Sequence, residues 1–373
     1  MKKYKRKIDF VSIFINMILI AILSALGIFV YYCMNYGIET TVAEFVDDTQ
    51  ITKIGSIENT TKIELNDVQN PLYSMETSTP EETIQNVKRG YYYEQIDDNA
   101  KIIYDALIQN IDNMKTGSYT IEFEKTFNEL LNQDNGTEVL NDSYQQALDA
   151  FSLDRPDVFY LDISKMLLMI YSRKTILKTT YTVSIKCEEN SNYFSEGFKT
   201  KEEVENAYSQ LENIKNNLYS QLTGTTYNKV KQVHNCLVDN LEYEETISKT
   251  NIRNIYGALV EKEVVCEGYA KSLKYILDDL DIPNIIVVGT ATNSNGQTES
   301  HAWNYVYVDN KWYAIDTTWD DPIIVGGGKL PEKEKYKYFL KGSNNFNTNH
   351  NATGKVSDNG ITFVYPELSE EDY

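Results

Sequence analysis

The chain has 373 residues, 42% of them hydrophobic, which is enough for two or three compact units with a sizeable core. Its formal net charge of −20 at pH 7 argues against a nucleic-acid-binding protein, because a phosphate backbone requires a basic face. The four cysteines lack the spacing of a disulfide framework, a redox motif or a metal site; they are Cys33, Cys187, Cys236 and Cys266.

The N-terminus carries a basic cluster followed by a long apolar run. Five of the first seven residues are basic, and they precede FVSIFINMILIAILSALGIFVYY, which as a helix of about 35 Å could cross a bilayer. The pattern predicts a cytoplasmic basic segment at 1–9 and a transmembrane anchor at 10–34. Basic flanks stay inside, so the remainder is expected to be extracellular, in a single-pass protein of the cell membrane.

A cleaved signal peptide is the alternative interpretation of this segment. Ala25-Leu26-Gly27 resembles a cut site with small residues on either side of a larger one. The apolar run continues for five residues beyond that point, to Tyr32, and this favours an uncleaved anchor.

Two regions of different character follow the predicted anchor. The stretch 39–90 is polar and weakly periodic, which is typical of a flexible spacer. In the stretch 91–200, Ala100, Ile103 and Leu107 recur at helical spacing, and the β-rich runs KMLLMIYS and TTYTVSIK could pair as a hairpin. These patterns predict a helix-and-strand accessory region at 91–200.

Two longer helices are predicted next. Val204, Ala207 and Leu211 mark the first, and the second extends from about 230 to 241. His234 belongs to the second helix and has no acidic or cysteine neighbour at ligand spacing. We therefore interpret His234 as a packing residue with satisfied hydrogen bonds.

Cys266 lies at the start of a further predicted helix. After EVVC, Ala270, Leu273, Leu277 and Leu280 recur at gaps of three, four and three, which is one face of a helix. The unpaired N–H groups and the positive dipole end at a helix start favour a thiolate. Cys266 is therefore a candidate nucleophile, although a single cysteine can equally be a small buried hydrophobe.

A predicted hairpin downstream brings a histidine and an acid to one face. In HAWNYVYVDNKWYAIDTTWDD, Asp309 and Asn310 fit a two-residue turn after a buried strand, NIIVVGTAT, and a polar loop. With that turn, Trp303 falls opposite Asp316. Asp316 is then a diagonal neighbour of His301, about 7–8 Å away between backbones. A three-residue turn would separate the two, so the placement depends on the turn.

These residue types are what a thiol nucleophile requires. His301 could take the proton of Cys266, and Asp316 could hold the orientation of the imidazole. Alone, each would be interpreted as a structural residue, but together and in this order they favour chemistry. The chain has three tryptophans, all in this region. Of these, Trp303 and Trp319 are candidates for lining a substrate cleft.

The segments VCEGYAKSLKYIL, HAWNYVYVDNKWYAIDTTWDDP and YFLKG resemble the transglutaminase-like superfamily of bacterial cell-surface proteins, over residues 227–368. The resemblance implies an α+β, papain-like core in which a nucleophile helix packs on an antiparallel sheet. It also implies Cys266 as nucleophile, His301 as general base and acid, and Asp316 as the orienting carboxylate. The side chain that completes the oxyanion hole is harder to place, and Tyr256 is a candidate.

The full predicted fold class is therefore this core at 201–368, preceded by the smaller helix-and-strand region and a single N-terminal transmembrane helix. The predicted function is acyl transfer at an amide bond through a cysteine thioester, by protein crosslinking or by protease or amidase hydrolysis. Its substrate would be a protein or peptide at the cell surface or in the cell wall, and no cofactor is expected. A non-catalytic binding or scaffold module of the cell envelope is the alternative.

The remaining polar clusters predict no metal site. Asp309, Asp316, Asp320 and Asp321 lie close in sequence but match no calcium loop, so we interpret them as solvated turn acids. His350, in the polar stretch NTNHNATG, is expected to be exposed.

Overall fold

The computed structural model describes residues 48–54, 80–176, 178–322 and 331–373. Its helices are α1 (Pro80–Arg89), α2 (Asp98–Gln109), α3 (Ile111–Met114), α4 (Asn128–Leu131), α5 (Gly136–Asp154), α6 (Lys201–Tyr219), α7 (Thr226–Asn240), α8 (Cys266–Asp279), α9 (Glu332–Lys335) and α10 (Ser343–Phe346). Its strands are β1 (Asp48–Ile54), β2 (Ile121–Glu124), β3 (Leu167–Lys174), β4 (Thr179–Lys186), β5 (Glu242–Tyr243), β6 (Glu263–Val264), β7 (Asn284–Thr292), β8 (Thr298–Val308), β9 (Lys311–Ile315) and β10 (His350–Ala352).

The chain divides into two compact units, of which the first is small. Its described residues are 48–53, 123–134, 169–176 and 178–183. They contribute most of a four-stranded sheet with the order β1–β3–β4–β2. The adjacency of β3 and β4 agrees with the hairpin predicted from KMLLMIYS and TTYTVSIK. In this unit Asn128 Oδ1 accepts a hydrogen bond from the Tyr181 N–H at 2.9 Å, which joins α4 to β4.

The second unit holds the remaining described residues and is built on an antiparallel sheet with the order β10–β7–β8–β9. Helix α8 packs on β7 and β8, α5 also contacts β7, and α7 packs on α8. Because helices cover β7, seven of its nine residues are buried and its sequence NIIVVGTAT is almost continuously apolar. This arrangement of a helix on an antiparallel sheet is the one that the family resemblance implied.

The turn between β8 and β9 fixes the register of the hairpin. Asp309 and Asn310 both have left-handed backbone conformations, with φ of 46° and 66°. This is the requirement of a type I′ turn, whose twist matches that of the flanking strands. Val308 consequently pairs with Lys311, as a two-residue turn predicts, and the side chains at 301 and 316 share a face.

The predicted accessory region supplies contacts to this sheet within the second unit. The buried Tyr92 hydroxyl donates a hydrogen bond to the Ile286 carbonyl in β7. The neighbouring Tyr91 hydroxyl donates to the Val364 carbonyl at 2.8 Å. Residues well upstream of the sheet are therefore part of its packing. The predicted boundary at 200–201 stays a prediction.

The predicted fold class and localisation need one correction. Residues 10–34 lie outside the described residues, and among the described helices none is long and apolar enough to cross a membrane. The two longest, α5 and α6, have 19 residues each and intersperse apolar with charged side chains. The transmembrane helix is thus unsupported, and so is the single-pass membrane localisation with an extracellular domain. The fold of the described residues is a mixed α/β fold.

Gly289 in β7 provides a test of how β10 joins the sheet. It pairs with His301 on one side and with Ala352 on the other. A Cβ here would overlap the Asn351 carbonyl oxygen and approach Trp303 Cη2 to 2.7 Å. We expect Gly289→Ala to lower the free energy of unfolding by about 1–3 kcal/mol, the usual cost of overpacking, as measured by urea denaturation.

Gly296→Ala is the matched control for that substitution. Gly296 has a φ of +78°, but a Cβ added to it would meet no atom within 4 Å, so the alanine variant is strained in its backbone without a clash. Its cost should be about 1 kcal/mol, the lower limit for an L residue in the left-handed region. The clash predicts a larger loss for Gly289→Ala, and a loss there no greater than that of Gly296→Ala would contradict the steric account of Gly289.

Candidate active site

The backbone before α8 places Cys266 as the first residue of the helix. Val265 precedes it in an extended conformation, and its N–H donates to the Ile252 carbonyl at 3.0 Å. Gly268 allows this loop to approach the helix, because a Cβ there would lie 2.6 Å from Val264 Cβ. The Cys266 side chain is half-buried, so it is fixed by the fold but retains access to solvent.

His301 joins Cys266 to Asp316. The Nε2 atom of His301 lies 2.8 Å from Asp316 Oδ2, and the Cys266 side chain lies close enough to the imidazole to contribute to its raised pKa. Because Nε2 faces the carboxylate, Nδ1 is the ring nitrogen left for the thiol. The three residues predicted from sequence are therefore brought together, with His301 between Cys266 and Asp316.

Asp316 receives four hydrogen bonds. Oδ1 accepts from the backbone N–H groups of Thr318 at 3.0 Å and Trp319 at 3.1 Å. Oδ2 lies 2.8 Å from His301 Nε2 and 3.1 Å from His350 Nε2. All four acceptor positions of the carboxylate are thus occupied, which is how a charge with 0% residue exposure is accommodated.

His350 is a site residue that the sequence analysis missed. The polar stretch around it predicts an exposed loop, but His350 is 3% exposed and begins strand β10, opposite Ala291 of β7. The error has a physical reason, because NTNHNATG has no hydrophobic periodicity and its burial comes from strand pairing with a distant segment. The closest sequence feature that pointed to the family is YFLKG, which ends eight residues before His350.

Burial and hydrogen bonding have opposite effects on the pKa values of His301 and Asp316. Burial alone would lower the pKa of His301, but the charge and hydrogen bond of Asp316, with a smaller contribution from Cys266 as an acceptor, hold it well above its usual range. Burial alone would raise the pKa of Asp316, but His301 and His350 hold it well below its usual range. The pair therefore favours imidazolium and carboxylate.

The two tryptophans predicted to line the cleft both contact the His301 imidazole. The Trp303 ring stacks on it at 6.0 Å between centroids, and the Trp319 ring lies at 5.4 Å with a tilt of 38°. Trp303 is 1% exposed and therefore supports the imidazole from within the core. Trp319 is partly exposed and borders the side from which solvent can enter.

Two tyrosines differ in their relation to the site. Tyr256, the predicted oxyanion candidate, packs against Phe159 and Phe198, with ring centroids 6.1 and 5.4 Å away. Tyr243 in β5 lies near enough to Cys266 for their charges to interact, and the sequence analysis did not single it out. Burial, with the negative charges of Cys266 and Glu299, raises the pKa of Tyr243 to about 12, so its hydroxyl is a proton donor at neutral pH.

The neighbouring acids are not solvated turn residues, as the sequence analysis expected. Asp320 is buried, and its Oδ2 lies 2.9 Å from Nε2 of the buried His234. Burial raises the pKa of Asp320 to about 9 and lowers that of His234 to about 4, so this pair is uncharged at neutral pH. Asp321 accepts a hydrogen bond from the Tyr269 hydroxyl at 2.6 Å. His234 is a packing residue, as predicted, with a partner 86 residues away.

One group in the described part of the chain has the spacing of a metal site. Ligand atoms of His301, Asp316 and His350 lie within 4.8 Å of one another. The same atoms form hydrogen bonds of 2.8 and 3.1 Å, so a cation would have to replace both Nε2 protons in a buried location. Hydrogen bonding accounts for the geometry of the group.

Comparisons with solved structures show low-scoring likenesses of the fold. A protein described as a TGase is 17% identical, with a TM-score of 0.28, over 45% of this chain and 48% of its own. A putative cysteine protease from Cytophaga hutchinsonii is 16% identical, with a TM-score of 0.24, over 41% of this chain and 57% of its own. The periplasmic domain of TgpA from Pseudomonas aeruginosa is 13% identical, with a TM-score of 0.24, over 41% of this chain and 72% of its own.

The likeness thus spans about half the length of the first two of these proteins, and it decides neither substrate nor activity. A comparison with curated proteins found no match. The family comparison is specific, because residues 213–317 match the model of the transglutaminase-like superfamily. That match contains Cys266, His301 and Asp316. Residues 213–317 of this chain are a domain of the transglutaminase-like superfamily.

Proposed function

We propose that this protein is a thiol enzyme that transfers the acyl group of an amide in a protein or peptide substrate through a thioester on Cys266. The observation that carries the proposal is the hydrogen bond between His301 and Asp316, with Cys266 beside the His301 imidazole at the start of α8. A nucleophile, a base and a group that orients the base are the three parts that such chemistry needs.

The position of Cys266 favours a reactive thiolate. The first N–H groups of an α-helix have no partners within the helix, and the N-terminal end carries partial positive charge. A His301 imidazolium beside the sulfur adds a full positive charge. The same backbone N–H groups can donate hydrogen bonds to the negative oxygen that develops when a carbonyl is attacked.

The first half of the reaction forms the thioester. The Cys266 sulfur attacks the amide carbonyl carbon, and the carbonyl oxygen becomes an oxyanion at the start of α8. His301 gives its proton to the amide nitrogen, the C–N bond breaks and an amine or ammonia leaves. Asp316 accepts from Nε2 throughout, so the ring keeps the orientation in which Nδ1 faces the sulfur.

The second half releases the acyl group. His301, now neutral, takes a proton from a primary amine or a water molecule as that molecule attacks the thioester carbon. The C–S bond breaks, and the thiolate and imidazolium are restored. An amine acceptor gives a new amide crosslink, whereas water gives a carboxylic acid. Both outcomes share every step that the residues of this site perform.

The first prediction concerns the reactivity of Cys266. At pH 6 an ordinary thiol, with a pKa of about 8.5, is less than about 1% thiolate. We expect limiting iodoacetamide at pH 6 to label Cys266 much faster than Cys187 or Cys236, whose pKa values burial raises. Peptide mass spectrometry would measure the three rates.

His301→Gln should bring the Cys266 labelling rate at pH 6 down by about tenfold or more, because the imidazolium is lost. Labelling of Cys187 and Cys236 should not change, and this serves as the internal control. A Cys266 rate no higher than the other two in the wild type would exclude the nucleophile and would favour a non-catalytic binding module.

The second prediction separates the acyl acceptors. The protein is incubated with a glutamine-rich unfolded protein and a fluorescent primary amine, and incorporated label, released ammonia and new N-termini are measured. Label that depends on Cys266 identifies amine transfer, whereas ammonia or new N-termini without label identifies hydrolysis. Cys266→Ala should reduce either rate by about 10⁴-fold or more, and activity that survives in this variant would contradict the thioester mechanism.

The third prediction concerns the proton state of His301. The sequence contains three histidines, so imidazole NMR yields three titrations. The pKa of His301 should lie above the usual value of about 6.5, and the pKa of His234 should lie near 4. In Asp316→Asn, burial is no longer opposed by the carboxylate, so the pKa of His301 should fall below 6.5.

Asp320→Asn is the matched control for this titration. Asp320 is hydrogen-bonded to His234 and is uncharged at neutral pH. Replacing it by asparagine should therefore leave the pKa of His301 above 6.5. A titration above 6.5 that persists in Asp316→Asn would show that the carboxylate does not hold the imidazolium.

A further inference from the structure

We propose that His350 is a positioning residue of this site, which holds Asp316 Oδ2 in the place where that oxygen orients His301. The inference rests on the proposed function, since orientation of His301 matters only if Cys266 is a nucleophile. His350 lies 33 residues beyond the end of the family match at 317.

One carboxylate oxygen joins the two imidazoles. Oδ2 lies 2.8 Å from His301 Nε2 and 3.1 Å from His350 Nε2, while Oδ1 is held by two backbone N–H groups. Without His350, one acceptor position of Oδ2 would be buried and unpaired, and one lateral restraint on the oxygen would be lost. His350 therefore acts on the sulfur only through Asp316 and His301.

The fold holds the His350 ring in place by strand pairing of its backbone and by aromatic contacts with its side chain. Strand pairing opposite Ala291 sets the Cα position, and the absent side chain of Gly289 leaves room for the Asn351 carbonyl oxygen, the next residue of the same strand. The ring stacks on Phe346 with centroids 4.0 Å apart, and further aromatic rings surround it, those of Trp319 at 4.7 Å, Trp303 at 5.2 Å and Tyr338 at 5.3 Å. A side chain held on several sides can direct one N–H to one oxygen.

The charge of His350 suits this role. The titratable groups that face it are Asp316, His301 and Tyr338. Burial lowers the pKa of His350, although the hydrogen bond and charge of Asp316 oppose this. A neutral imidazole that carries its proton on Nε2 supplies a hydrogen bond to Oδ2 without competing, as a second cation would, with the His301 imidazolium for the carboxylate. Nδ1, which lies 2.9 Å from the Asn349 side-chain oxygen, then carries no proton, so the Asn349 amide has to present its nitrogen there.

The test uses two amides at position 350 that differ in reach. The amide nitrogen of glutamine can occupy the place of Nε2, whereas that of asparagine ends near the place of Nδ1. We expect His350→Gln to retain the wild-type pH profile of Cys266 alkylation to within about twofold. His350→Asn and His350→Phe should move its acid limb to higher pH, with a rate at pH 6 lower by about tenfold, equivalent to one pH unit.

Turnover should follow the same order, with a fall in kcat and little change in KM, because His350 lies behind the reacting groups. His234→Gln is the control for lost packing, since His234 is also a buried histidine on a buried aspartate. It should keep the wild-type alkylation profile. If His350→Phe does not fold, the comparison of asparagine with glutamine carries the test.

Several results would overturn the proposal. These are an unchanged profile in both His350→Asn and His350→Phe, equal shifts in asparagine and glutamine variants, or a similar shift in His234→Gln. A wild-type profile that a chelator changes would assign the three residues to a metal instead. Fast Cys266 labelling without turnover would defeat the proposed function but leave the positioning role intact, so the two failures can be distinguished.

Discussion

The buried carboxylate of Asp316 is the constraint around which the second unit is organised. An uncompensated buried charge costs about 3–5 kcal/mol, so this group requires every hydrogen bond it receives. Those donors come from the turn that follows β9, from β8 and from β10. Three separate parts of the chain must therefore be correctly placed before the charge is tolerated, and their placement also sets His301 beside Cys266.

Two pairs of the same residue types reach opposite charge states within this unit. Asp316 has four donors and carries a negative charge beside a His301 imidazolium. Burial is the largest single influence in both pairs. At Asp316 the charge and hydrogen bonds of His301 and His350 together outweigh it, whereas at Asp320 the backbone hydrogen bonds do not, and Asp320 with His234 stays neutral. A histidine–aspartate contact therefore does not by itself decide whether the pair is ionised.

The parts of the site that local rules govern could be predicted from the sequence. Helical periodicity after Cys266 places it at a helix start, and Asp309-Asn310 specifies a two-residue turn that puts His301 and Asp316 on one face. His350 cannot be found in this way, because its burial depends on the pairing of a three-residue strand with β7. The burial of Asp320 cannot be predicted from local sequence either, because its partner His234 is remote in sequence. The predicted anchor is unsupported, because its residues lie outside the described part of the chain and no described helix is long and apolar enough to cross a membrane.

Two hydrogen bonds show that the family match and the folding unit have different boundaries. One joins the Tyr92 hydroxyl to β7, and the other joins His350 to Asp316. The recognisable signature ends at residue 317, yet the sheet beneath it takes a buried tyrosine from far upstream and its edge strand from far downstream. A fragment cut to the boundaries of the signature would contain the sulfur, the imidazole and the carboxylate, but not all of the scaffold that aligns them. The segment that matches the family model is therefore shorter than the segment that the sheet needs in order to fold.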